Sequence, residues 1–261
     1  WNNRLHDKMI IVDNELAIIG GRNIGNKYFA DNNYMNTEYS GIIVNDRDVV
    51  IVNTDLDNPS RSVIHQMKGY FNHVWEHKFS KYPVRRMTQR QKDKGKKRAE
   101  YLSKNLESIK NNNPHMFGNS IDWLARSVPT NKVTLINNPI ERLNKEPWCW
   151  YEIVNLAERA EKSVFVQSPY VLPTRAMLKY IDDSAGLAMK TEILTNAIAI
   201  NPNPMATAGY VTKRKGIVDS VSKVYEFQGP GSIHAKSFIF DDRISLVGSF
   251  NVYARSAYLS T

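Results

Sequence analysis

HDKMIIVDNELAIIGGRN, residues 6–23, and HAKSFIFDDRISLVGSFN, residues 234–251, have one length and share residues at fixed offsets. Both read His-x-Lys-x4-Asp-x6-Gly-[Gly/Ser]-x-Asn. The first copy supplies His6, Lys8, Asp13, Gly20, Gly21 and Asn23; the second supplies His234, Lys236, Asp241, Gly248, Ser249 and Asn251. A His and a Lys two apart on a strand project from the same face. Apolar or alternating bulky residues follow the Lys, as a buried strand requires. The Gly position permits a close backbone approach, and the Asn amide can hydrogen-bond an oxyanion. Each copy is therefore half of a site for a tetrahedral phosphate. Two copies supply two imidazoles, two ammoniums and two amides, and chance recurrence of five fixed residues is a poor explanation.

The chain has 261 residues and is 42% apolar, enough for a sizeable core in one or two domains. No apolar run approaches the ~20 residues that cross a bilayer as a helix. One cysteine, Cys149, excludes an internal disulfide and a Cys-rich metal cluster; its Trp148 and Trp150 flanks predict a packed, inert thiol. Net charge is +9, and it is uneven. Between Lys81 and Lys110 stand eleven Lys/Arg against three Asp/Glu, so this segment carries nearly all of the excess. It reads as a solvated helix or connector kept soluble by charge, or as a surface for polyanions such as an anionic membrane or nucleic acid.

This connector divides the chain into residues 1–80, 81–127 and 128–261. Before it, MIIV and LAIIG predict a strand–turn–strand, SGIIVN another strand, and Ser60–Phe79 a helix with apolar residues at helical spacing. After it, KVTLIN, SVFVQS, TEILTN and SKVYEFQ predict strands. They alternate with helices around Trp150–Lys162, in TRAMLKYIDD, and around Met205–Ser220; AKSFIFD and RISLVGS close the set as a strand pair. The expected class is α/β.

The doubled motif resembles that of the phospholipase D superfamily. GGRNIGNKYF, YFNHVWEH, QSPYVLP, EILTNAIA and the closing HAKSFIFDDRISLVGSFNVYARSAYLST are similar to segments of bacterial cardiolipin synthases. The resemblance implies two pseudo-symmetric sheet-and-helix lobes sharing one active site, with strands and helices ahead of each motif. The second lobe has them in Lys132–Gly231. For the first they are expected upstream of Trp1, so its sheet is expected to be truncated on its N-terminal side. Departures from the family pattern are Asn26 and Lys27 in place of acidic residues, Tyr253-Ala254 in place of Asp-Pro, and a poor match over NTEYSGIIVNDRD.

The implied chemistry is displacement at phosphorus through a phosphohistidine. One imidazole attacks while the other protonates the departing alcohol and then deprotonates the incoming one. By resemblance His6 is the nucleophile and His234 the acid/base. Lys8 and Lys236 offset charge on the oxygens, and Asn23, Asn251 and Ser249 contact the phosphate. The family orients each motif His with a carboxylate about thirty positions later. Glu38 is the candidate for His6, and the carboxylate for His234 is expected beyond Thr261. Asp13 and Asp241 count with the catalytic set as motif members, but their place near strand ends favours holding the turn. Water as acceptor gives a hydrolase, and a phosphatidylglycerol headgroup gives cardiolipin; the motif serves either. The expected partner is an anionic phospholipid such as phosphatidylglycerol, at a bacterial inner membrane contacted through the basic connector, with nucleic acid less favoured. No cofactor or metal is expected. HVWEH has the spacing of an inverted zinc-protease motif, but its helical apolar face accounts for it. GGRNIG lacks the Lys-Ser/Thr end of a P-loop, and Arg175, Arg214 and Arg255 read as surface charges.

Overall fold

The computed structural model describes residues 3–29, 43–83, 86–112, 114, 117, 121–143, 145–181 and 186–261. The chain forms two compact units, Trp1–His65 with Lys132–Thr261, and Gln66–Asn131. Both motifs lie in the first.

Each motif folds as a β-hairpin. β1 (Met9–Val12) pairs antiparallel with β2 (Leu16–Gly20), in the register Met9↔Ile19 to Val12↔Leu16. β4 (Asp48–Val52) adds to β2, giving the order β1-β2-β4. In the second lobe the five-stranded order is β11-β10-β5-β7-β8. It comprises β5 (Val164–Gln167), β7 (Thr191–Asn196), β8 (Lys223–Phe227), β10 (Ser237–Phe240) and β11 (Ile244–Val247). β10 and β11 repeat the β1–β2 hairpin. The motif Asp sits in the turn of both at the same left-handed φ of 53°, a conformation that Asp tolerates better than most residues. Both hairpins also close with the same bond at their open end: Gly20 N–H to the Lys8 carbonyl at 3.4 Å, and Gly248 N–H to the Lys236 carbonyl at 3.2 Å. β10 pairs with β5 on its other side, whereas β1 is an edge strand among the described residues, with Ile10 and Val12 exposed.

β5, β7 and β8 run parallel, which requires crossovers. α4 (Arg175–Leu178) and α5 (Leu187–Lys190) lie in the first, and α6 (Pro204–Asp219) forms the second. Asn203 caps α6 by accepting from Met205 and Ala206 N–H, and Pro204 fits the first turn. α3 (Trp148–Arg159) contributes Trp150, Ile153, Val154 and Ala157 to the lobe core, with Phe238 and Phe240 from β10 and Tyr210 and Ile217 from α6. Parallel pairs of β6 (Val171–Leu172) with β12 (Val252–Tyr253), followed by α7 (Ala254–Tyr258), complete this lobe.

Two matching cross-lobe contacts join the halves. β3 (Val44–Asn45) pairs parallel with β9 (Ser232–Ile233), and Arg4 bridges Ser260 in the same sense. Ser232 and Arg4 each stand two residues before a motif His. In the second unit, α2 (Gln89–Asn112) is a single 24-residue helix within the basic connector. α1 (Val63–Glu76) falls within the helix expected for Ser60–Phe79.

Three local expectations need correction. KVTLIN forms no strand. The chain there is anchored instead by buried Asn138, which donates to the Ser256 and Ser260 carbonyls at 2.8 and 3.0 Å and accepts from Cys149 N–H at 3.0 Å. TRAMLKYIDD is helical only over Arg175–Leu178 among its described residues. SGIIVN contributes just Val44–Asn45 as described strand, and the longer strand is the next one, DVVIV.

Candidate active site

His234 follows directly on β9. Buried Asn196, at the end of β7, grips β9 by donating to the Ile233 carbonyl (2.8 Å) and accepting from Ile233 N–H (2.7 Å). The Asn45 carbonyl accepts from His234 N–H at 2.7 Å. The backbone that carries the imidazole is thus held from both lobes. Its Nδ1 lies 2.7 Å from Asp46 Oδ2, a carboxylate with no side-chain exposure. A protonated Nδ1 donates to Asp46, which leaves Nε2 for chemistry. Lys236, also fully buried, reaches the His234 carbonyl and lies 2.9 Å from Nδ1. Lys8 makes the same contact with its own motif's His6 carbonyl.

The His6 ring bonds to the Ser249 backbone, so the first motif's imidazole rests on the second motif. The two Gly corners also abut. A Cβ built on Gly21 would lie 2.5 Å from Asp46 Oδ1 and 3.4 Å from the Gly248 carbonyl, so only glycine leaves room for the carboxylate that serves His234. Tyr28 packs edge-on to His234 at 5.1 Å between ring centroids. Its hydroxyl accepts from Asn23 Nδ2 at 2.8 Å, and its carbonyl accepts from Arg22, which Asp48 holds by a 2.6 Å ion pair. Asn251 is buried, and its Oδ1 has no hydrogen-bond partner among the described residues.

The electrostatics separate the two histidines. Burial, then Lys8, Lys236 and His234, push His6 down to about 3, against the Ser249 bond. It is neutral at working pH. His234 is also lowered, by burial first and by Lys236 and Lys8, but the Asp46 hydrogen bond and charge pull the other way. Burial depresses Lys236 to about 7 despite Asp46, and burial also lowers Lys8. Burial alone would raise Asp46; the His234 hydrogen bond and the Lys236 charge outweigh it and hold the carboxyl below its ordinary range.

His6, Lys8, His234, Lys236 and Ser249 are therefore brought together, with Asn23 attached through Tyr28. Asp13 and Asp241 are not. They occupy the hairpin turns, at the opposite end of the strands from the His–Lys pairs. Asp241 accepts from Glu161, Lys162 and Ser163 N–H at 2.8, 2.7 and 2.9 Å, and these bonds hold its carboxyl down at about 2. It ties the hairpin to the start of β5, a structural role. Glu38 lies outside the described residues. The carboxylate on His234 comes from the first lobe, from Asp46, rather than from beyond Thr261. Sequence reading missed Asp46 and Tyr28, although both lie in or beside segments singled out there, NTEYSGIIVNDRD and GGRNIGNKYF.

Residues 153–261 match the family model described as cardiolipin synthase, PLD-like domain. The chain is 28% identical to an uncharacterized protein of Helicobacter pylori, covering 99% of this chain and 53% of that protein. It is 24% identical to cardiolipin synthase C of Escherichia coli, covering 100% and 57% respectively. The chain thus spans about half the length of these curated relatives. Among solved structures, the phosphatidylserine synthase of Haemophilus influenzae superposes with a TM-score of 0.56 at 18% identity, over 98% of this chain and 56% of that one. That likeness shows the fold: the phospholipase D-like α/β arrangement expected from the doubled motif.

Proposed function

We propose that this chain, which resembles the phospholipase D superfamily and within it the cardiolipin synthases, transfers a phosphatidyl group between phospholipids through a phosphohistidine. The observation that carries the reading is the meeting of both His–Lys pairs, with unequal environments for the two imidazoles.

A nucleophile must present a lone pair, and His6, pushed down to about 3, does so near neutral pH. In the first step a His6 ring nitrogen attacks phosphorus, the P–O bond to the first headgroup breaks, and His234 gives its proton to the departing alkoxide. In the second step His234 takes the proton of the incoming hydroxyl. That oxygen attacks phosphorus, the P–N bond breaks, and His6 is restored. The Asp46 bond supports both steps by fixing the His234 tautomer and stabilising its cation. Lys8 and Lys236 stabilise charge on the non-bridging oxygens. A bound phosphodiester anion offsets the lysine charges that depress His234, so substrate binding helps to load the proton that the first step spends. The substrates are anionic phospholipids of the phosphatidylglycerol type, and the working location is a membrane surface, in bacteria the inner membrane. Among the described residues no helix is long and apolar enough to cross a membrane.

Incubation of the protein with phosphatidylglycerol vesicles and, separately, with plasmid DNA tests the reading. Formation of cardiolipin with release of glycerol supports it. Release of phosphatidic acid alone would make water the acceptor, and cleavage of DNA with the lipid untouched would make the protein a nuclease.

A further inference from the structure

α2 deepens the lipid reading. None of its residues is buried, and it carries Leu102, Leu106 and Ile109 with 53%, 44% and 47% exposure. At 3.6 residues per turn these three fall within about 60° of arc. The charges are sorted around that stripe. Lys92, Lys94 and Arg98 lie within roughly 90° of Leu102 on either side with no acidic residue among them, and Lys110 lies at the same margin, where it pairs with Glu107 at 3.2 Å. All three acids of the helix, Asp93, Glu100 and Glu107, fall about 150° from the stripe's centre, on the side that also carries the other four cations, Arg90, Lys96, Lys97 and Lys104. Tyr101 is exposed at one margin, with Arg98 against its ring at 5.0 Å.

A helix that is merely a soluble spacer has no reason to send its acids to one side and its leucines to the other. A nucleic-acid surface has use for the cations but none for a central Leu–Leu–Ile stripe. We propose that α2 lies in the plane of an anionic phospholipid surface, Leu102, Leu106 and Ile109 entering the acyl boundary while Lys92, Lys94, Arg98 and Lys110 reach sideways to headgroup phosphates. This is the arrangement expected of an interfacial helix, with apolar insertion and electrostatic attraction acting together. At 24 residues the helix is about 36 Å long, enough to present the whole stripe along the surface. The inference rests on the phosphatidyl-transfer reading only for the choice of ligand.

Vesicle flotation of the full chain tests it, using the His6→Ala background so that no lipid is turned over. Phosphatidylglycerol vesicles should carry the protein, and phosphatidylcholine vesicles should carry much less. Replacing Leu102, Leu106 and Ile109 by Gln keeps good helix formers at exposed positions, which circular dichroism checks, and should weaken partition by about tenfold or more. Neutralising Lys92, Lys94, Arg98 and Lys110 to Gln should weaken it more, by up to several hundredfold, since each basic residue near such a surface is worth about fivefold. Neutralising Lys97 and Lys104, on the acidic side, should cost less than about threefold in total. The proposal is overturned if the parent does not float, if the stripe variant floats as well as the parent, or if Lys97 and Lys104 matter as much per charge as the near-side cations. It is equally overturned if the near-side variant loses DNA retention while still floating. Lipid consumption is measured separately, so failure here leaves the transfer reading to be judged on its own assay.

Discussion

Asp46→Asn removes the carboxylate that contacts His234 while preserving its shape. The Asn Oδ1 can still accept from Arg47 N–H, as Asp46 Oδ1 does at 2.9 Å, and the neighbouring Gly21 is undisturbed. What changes is the 2.7 Å contact to His234 Nδ1. An amide NH2 placed there donates rather than accepts, so the imidazole must move its proton to Nε2, the nitrogen that the reaction needs free. A hydrogen bond to a charged partner is worth about 1.5–3 kcal/mol, so loss of this one should lower kcat roughly 10- to 150-fold. The sign of the pH effect follows as well. Asp46 raises His234 against burial; without it the His234 acid form is lost at lower pH, and the basic limb of kcat/KM moves toward acid. The assay is turnover of a short-chain monomeric phosphatidylglycerol across pH, with a thermal melt to show that the variant is folded. A folded variant with kcat within twofold of the parent and an unmoved limb would refute the claim that Asp46 positions His234.

Gly21→Ala should lower activity for the same reason, by driving its methyl into the Asp46 carboxylate. Combined with Asp46→Asn its effect should be far less than additive, and a double-mutant cycle measures this. Asp241→Asn should leave the turnover mechanism intact but destabilise the hairpin, seen as a lower Tm. Its folded carboxyl is held at about 2, below the unfolded value, so its contribution is present above pH ~4 and lost as pH falls toward 2. The variant should lack that segment of the acid-unfolding profile. Lys236, held at about 7 by burial, predicts proton uptake when inorganic phosphate binds just above that pH. Calorimetry in buffers of different ionisation enthalpy detects the uptake, and its absence would place the ammonium away from the anion.

The hairpins, the pairing of the two motifs and the α/β class could be read from the chain because they depend on local periodicity and on residues at fixed offsets. Asp46 could not be located that way. It sits 188 positions from His234, and its role arises from the β3–β9 junction, whose two short strands carry too few residues for a periodic signal. The family resemblance pointed instead to carboxylates within the same lobe, at Glu38 and beyond Thr261, whereas the described one crosses between lobes. KVTLIN misled for the opposite reason: its alternation suits a strand, but Asn138 takes the hydrogen bonds that fix the segment. In α2 the count of charges was plain, while their sorting around the Leu102–Leu106 stripe emerged only once the segment was seen as one unbroken helix.

The measurement closest to the central claim is recovery of the covalent intermediate. A phosphatidylglycerol analogue bearing a good leaving group is mixed with the protein, quenched in alkali to preserve phosphohistidine, and the peptides are mapped by mass spectrometry. The account predicts a phosphatidyl adduct on His6, absent from His6→Ala. In His234→Ala the adduct should still form, because the leaving group needs no acid, and it should persist, because nothing activates the acceptor hydroxyl. An adduct that survives His6→Ala and disappears with His234→Ala would reverse the two roles, and turnover with no adduct on either histidine would contradict the mechanism.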